Sequence, residues 1–112
     1  MAGPSPLRYT LFDDLLRLIP ENPGDSIISR TIYCDAYVKV VLLGFSAEQF
    51  LSEQTESQTA IIHVLSGQGV ITLGNDVYEV ESGAWVHMPP HLAHSVEATT
   101  PLIMLLLLIP EA

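Results

Sequence analysis

Residues 61–94 read IIHVLSGQGVITLGNDVYEVESGAWVHMPPHLAH. Short apolar runs in this stretch are broken every few residues by glycine or proline. Ile61–Leu65 ends at Ser66-Gly67, and Val70–Leu73 and Val77–Val80 flank Gly74–Asn75. Two runs separated by such a pair form a hairpin with a tight turn. Ala84–Met88 lies between Gly83 and Pro89-Pro90. None of these runs reaches the length of a helix, and valine, isoleucine and aromatics dominate them, as in strands.

Outward from this stretch the same grammar continues. Strands are predicted at 27–33, 36–43, 59–65, 68–73, 76–80, 84–88, 93–98 and 102–109, with a connection at Gly44–Glu48. Many short strands with regular turn signals indicate a sandwich, jelly roll or barrel. Only residues 11–19 carry helical spacing, with Leu11, Leu15 and Leu18 on one face, Thr10 in the N-cap position, Asp13 three residues on and Pro20 at the end. A short helix is expected there, covering one end of the core. Residues 1–9 are proline-rich and expected to be poorly ordered, and ENPGD at 21–25 is turn chemistry.

Val38–Leu43 and Leu102–Ile109 are apolar on both faces, apart from Lys39. A strand of that kind is covered on both sides. One face fills the barrel, and the other must meet the N-terminal segment or a second subunit, so a homodimer is expected. The run 102–109 is too short for a membrane helix, spanning about 12 Å as a helix against a hydrocarbon core of ~30 Å.

Composition excludes several classes. The 112 residues hold 13 acids and 4 bases, a formal charge of −9, and Lys39 is the last base in the chain. Nucleic-acid binding needs a basic stripe to displace counterions, and anionic membrane surfaces attract basic segments, so neither partner is expected. The 48% apolar content argues for one folded unit across 1–112. Cys34 is the sole cysteine, which rules out an internal disulfide scaffold. It follows Tyr33 and precedes Asp35, neither a cation that would activate a thiol. With no signal-peptide pattern at MAGPSPLRYT, the expectation is a cytoplasmic protein.

Residues 44–98, and 61–94 most clearly, resemble the cupin superfamily of small double-stranded β-helix proteins. The resemblance rests on Ile61–Leu65, Gly67-Gln68-Gly69, the Gly74–Asn75 hairpin, Gly83–Met88 and the closing Pro89-Pro90-His91-Leu92-Ala93-His94. It implies an all-β, jelly-roll-like cupin barrel with its pocket inside. It implies little about activity, since one fold serves many. In cupins the first motif usually supplies a His-x-His pair and then a carboxylate or amide. Anchored on Gly67, those positions hold Gln54, Glu56 and Ala60. A slip of one or two residues in 52–59 would bring in Glu53 or Gln58 instead. The final histidine of the second motif matches His94. A divalent transition metal would therefore have His94, Glu56 and Gln54 as its ligands, a degenerate set where two or three imidazoles are normal. The resemblance also allows His94 and Glu56 to act as an acid–base pair.

Strand alternation puts Ala60, Ile62 and Val64 inside if position 60 faces inward, and His63 outside. His91 stands where the family has glycine, so a left-handed turn residue is expected, with its ring available to the pocket beside His94. The expected pocket is lined by Gln54, Glu56, Ile62, Val64, His91 and His94, together with apolar residues of 38–43 and 102–108. Such a lining suits a small, largely apolar or neutral molecule. Trp85 and Tyr78 are read as core or interface aromatics, and Met88 and Met104 as core filler.

Overall fold

The computed structural model describes residues 8–19 and 24–110. Nine strands follow one 3₁₀ turn: β1 (Ile27–Cys34), β2 (Lys39–Phe45), β3 (Phe50–Gln54), β4 (Thr59–Ser66), β5 (Gln68–Leu73), β6 (Asp76–Glu81), β7 (Trp85–Met88), β8 (His94–Ala98) and β9 (Leu102–Ile109). They pair antiparallel into a five-stranded sheet, β1-β2-β9-β4-β7, and a four-stranded sheet, β3-β8-β5-β6. The inner faces enclose the core, in which Phe45, Ile62, Val64, Ile71, Met88, Val96, Leu102 and Met104 are almost wholly buried. Alternation is plain in β4, where Ala60, Ile62 and Val64 are buried while Ile61, His63 and Leu65 are partly exposed. The interior parity expected from the sequence therefore holds, and His63 points out of the barrel.

The Gly67-Gln68-Gly69 turn joins the two sheets. Gly67 has φ +93, and a Cβ there would run into the Pro101 carbonyl and come within 2.9 Å of Leu102 Cα. Only glycine permits both that backbone and that approach.

The N-terminal helix is corrected to a single 3₁₀ turn, Leu15–Leu18, capped by Asp14, whose carboxylate accepts from Leu16 N at 3.1 Å. Nine residues are too few to sustain a helix unaided, and this segment lies across a cleft from Val40, Leu105 and Leu107 with Tyr9 and Leu11 exposed. Arg30 Nη1 donates to Leu18 O at 2.8 Å. Arg30 pairs with Leu42 across β1 and β2, so the two share the outer face of the five-stranded sheet. Leu42 is fully buried there, although it stands outside the barrel's core cluster. Part of the second apolar face of β2 is thus covered from within the chain. Pro20 and the start of the 21–25 turn lie outside the described residues, as does most of the 1–9 segment.

Two further strand expectations are revised. The strand placed at 36–43 begins at Lys39, because Asp35 Oδ1 accepts from Tyr37 N at 2.7 Å and Val38 N at 3.0 Å and holds 35–38 in a turn. It continues through Gly44 and Phe45, which pair with Ile28 and Ile27. β3 was not expected; it is an edge strand with four of its five residues exposed, so it carries no apolar alternation. Trp85 and Tyr78 are not core residues, being 59% and 51% exposed. Met88 and Met104 are core, as expected. Among the described residues no helix is long and apolar enough to cross a membrane.

Candidate functional site

A cavity of about 50 Å³ lies between the two sheets. Its aliphatic wall includes Leu43 of β2, Ala60 and Ile62 of β4, Val96 of β8, and Met104, Leu106 and Leu108 of β9. Three polar side chains join it: Gln54 at the end of β3, Glu56 in the β3–β4 connection and His94 at the start of β8.

The backbone explains why these three meet. Leu51 pairs with Val96 and Gln54 pairs with His94, so three steps along β3 match two along β8. The extra residue is a bulge, and it re-aims the strand. Without it Gln54, three residues from inward-packed Leu51, would fall on the opposite face. Glu56 is held by a backbone bond in which His91 N donates to its carbonyl at 2.7 Å. That bond ties the β3–β4 connection to the turn before β8. Gly74 N donates to Ala93 O at 2.7 Å and secures the same turn from the hairpin side.

His94 Nδ1 lies 3.1 Å from Leu92 O. A carbonyl can only accept, so Nδ1 carries the hydrogen. In the neutral ring this leaves the lone pair on Nε2, the usual way a backbone partner sets a histidine tautomer.

Four of the six predicted pocket residues, Gln54, Glu56, Ile62 and His94, line this cavity. Val64 and His91 do not. Val64 is completely buried one alternation further along β4, as plain core. His91 is exposed at the apex of its turn with φ +70, the left-handed backbone expected where glycine is usual. That geometry explains the histidine without a pocket role. Sequence reasoning did not single out Leu51, which belongs to the unexpected strand β3.

The donor chemistry does not fit a tightly held transition metal. Among the described residues no group of three or more His, Cys, Asp and Glu side chains could hold a metal ion. The cavity offers one imidazole, one carboxylate and one carboxamide, and the remaining motif position, Ala60, is a buried methyl group. Zinc and non-haem iron sites without thiolates normally use two or three imidazoles.

Residues 46–110 match the family model described as Cupin domain. No curated protein matches the sequence. Among solved structures, the chain is similar to a conserved protein of unknown function from Streptococcus pyogenes, at 24% identity over 100% of this chain and 98% of that one, with a TM-score of 0.81. It is similar to a cupin superfamily protein from Desulfitobacterium hafniense at 20% identity, covering 87% and 88%, with a TM-score of 0.80. A salicylate 1,2-dioxygenase from Pseudaminobacter salicylatoxidans shares 15% identity over 65% of this chain but 21% of its own, with a TM-score of 0.63. Identities this low speak for a common fold and not for a common activity.

Proposed function

Because this chain belongs to the cupin domain family, and because its interior cavity is walled mainly by aliphatic side chains, we propose that it binds a small, largely apolar or neutral molecule within the barrel. The observation that carries this reading is the lining itself. Apolar walls favour a ligand that gives up water cheaply, and a few polar groups fix its orientation. Gln54 offers a donor and an acceptor, and His94 offers the Nε2 lone pair. The volume, about 50 Å³, leaves room for only a few small atoms or waters. The ligand, or the part of it that enters, is therefore short.

The test is a titration with short aliphatic alcohols and amides, followed by ligand-observed NMR on wild type, His94→Ala and Ala60→Val. Binding weakened by His94→Ala and blocked by the added methyl groups of Ala60→Val supports the reading. Equal binding to all three places the ligand elsewhere and sinks it.

A second reading is acid–base catalysis without a metal, favoured by the His94–Leu92 hydrogen bond. With Nδ1 engaged, Nε2 can take a proton from a bound molecule, and Glu56 borders the same cavity. A metal-dependent enzyme of oxygenase or isomerase type using His94 would need donors beyond His94, Glu56 and Gln54.

A further inference from the structure

Two free strand edges border one cleft. β6 is the last strand of the four-stranded sheet and β7 the last of the five-stranded sheet, so among the described residues each pairs on one side alone. The turn that joins them, Ser82 to Ala84, is fixed to β4. Gly83 N donates to Val64 O at 2.9 Å, Val64 N donates to Ala84 O at 2.9 Å, and Ser82 Oγ donates to Leu65 O at 3.0 Å. These bonds hold the two edges at a set spacing.

The cleft between the edges measures about 480 Å³ and shares no lining residue with the barrel cavity. Its floor is aliphatic. Ile71 is fully buried there, and Leu73, Val80 and Val86 pack against the same core. Tyr78 pairs with Ile71 across β5 and β6, so the two side chains share a face. At the sheet's edge no further strand covers Tyr78, and more than half of it stays exposed. Trp85 lines the cleft from β7 and is also more than half exposed. The cleft thus has two aromatic side chains, one from each sheet.

Its charge has one sign. Glu79 lines it and no Lys or Arg does, while His87 is the other polar side chain with an ionisable ring. Asp76 and Glu81 add negative charge from the same strand. The strand-borne bases, Arg30 and Lys39, belong to β1 and β2, four and three strands from β7 in sheet order. At about 4.8 Å per strand that separation is roughly 14–19 Å, beyond the ~8 Å screening length.

We propose that this cleft binds a small alkylated ammonium ion, a tertiary or quaternary amine, between Tyr78 and Trp85 with Glu79 as its counter-charge. Aromatic faces attract cations, tryptophan most strongly, and quaternary ammonium groups are the usual beneficiaries. The alkyl groups on nitrogen suit the aliphatic floor. An inorganic cation such as calcium needs six or more oxygen ligands, and the lining supplies one carboxylate. An anion would meet Glu79 and a chain of formal charge −9. The volume falls within the ~300–1,000 Å³ usual for small-molecule sites. The barrel cavity and the ligand proposed for it are separate from this site.

Trp85 is the sole tryptophan, so its fluorescence reports on the cleft directly. The test titrates choline and its uncharged carbon isostere, dimethylbutanol, against wild type, Tyr78→Leu, Glu79→Gln and His94→Ala. Ligand-observed NMR repeats the series and adds Trp85→Leu, with circular dichroism confirming the fold of each variant. Choline should shift the emission saturably, and the isostere should bind roughly fivefold more weakly or worse. Tyr78→Leu and Trp85→Leu should each weaken choline about two- to fivefold, as loss of one exposed ring contact predicts. Glu79→Gln should weaken it too and flatten its dependence on salt. His94→Ala should change nothing. No saturable shift by about 100 mM choline, equal affinity for the isostere, or affinity indifferent to both ring variants would overturn the proposal. Choline binding lost in His94→Ala would move the cation to the barrel and overturn it as well. Binding of a trimethyllysine peptide where choline fails would assign the cleft to a protein partner, against the free ion proposed.

Discussion

Gln54 and His94 are direct partners across the β3–β8 ladder, and a one-residue bulge between Leu51 and Gln54 turns Gln54 toward the cavity that His94, two residues from buried Val96, also lines. The pairing places an amide beside an imidazole where a metal-binding barrel would place imidazoles. An amide is a poor ligand for zinc or iron, and Ala60 adds none. Protein purified without a tag should therefore hold far less than one equivalent of iron, zinc, manganese or nickel, even after incubation with each. His94→Ala should not change that content. Elemental mass spectrometry checks it, and a near-stoichiometric metal lost in His94→Ala would reverse the conclusion.

His91 and His94 sit three residues apart and should respond to mutation in opposite ways. His91 holds a left-handed backbone at φ +70 and lies outside the cavity lining. His91→Gly should stay within about 1 kcal/mol of wild type and bind short amides unchanged, since glycine adopts that conformation freely. His91→Val should cost ~1–2 kcal/mol through backbone strain alone. His94→Ala should instead weaken ligand binding. Urea denaturation and the binding titration, run side by side, separate the two roles.

The strands of 59–109 were legible because glycine and proline mark their ends and their inner faces alternate cleanly, as at Ala60, Ile62 and Val64. β3 was not legible. Phe50–Gln54 is an edge strand whose residues are mostly exposed, so backbone pairing defines it and hydrophobic pattern does not. The leucines at 11, 15 and 18 carry a true helical spacing, but the segment is short and Leu11 stays exposed, so little packing supports a helix there. At the site, Gln54, Glu56 and His94 could be placed only through the family resemblance. Their spacing alone says nothing of proximity, because a bulge and a loop-to-loop hydrogen bond bring them together.

Gly67 should be the least replaceable residue of the sheet-joining turn. Its φ of +93 and its approach to the Pro101 backbone both oppose a side chain. The obstacle is main chain, which cannot swing aside as a side-chain tip can. Gly67→Ala should cost on the order of 3 kcal/mol, within the range of substitutions that combine strain and overpacking. Gly83, also at positive φ but with open space around it, should lose less on the same change. Equal losses in chemical denaturation would show that backbone strain alone sets the cost.

The β1–β2 turn should weaken at both ends of the pH scale. Tyr33 donates its hydroxyl hydrogen to Asp35 Oδ2 at 2.6 Å, and Tyr37 N and Val38 N donate to Oδ1. These bonds, the Tyr33 hydroxyl first, hold the Asp35 carboxyl below its ordinary range. The same bond raises the Tyr33 phenol above its own. A carboxyl lowered in the folded state stabilises fully above its unfolded pKa of about 3.9 and loses that contribution as pH falls through the folded value. A phenol raised in the folded state stabilises fully below about pH 10 and loses it as pH climbs through the folded value. Asp35→Ala should therefore lower the melting temperature by a constant, small amount across neutral pH. The gap from wild type should close in acid below about pH 4 and narrow again in alkali. Tyr33→Phe should abolish the alkaline narrowing and keep most of the acid limb, because the two backbone donors remain. Melting curves collected from pH 2 to 11 decide it, and a gap unchanged at pH 2 would show that Asp35 acts through turn geometry without its charge.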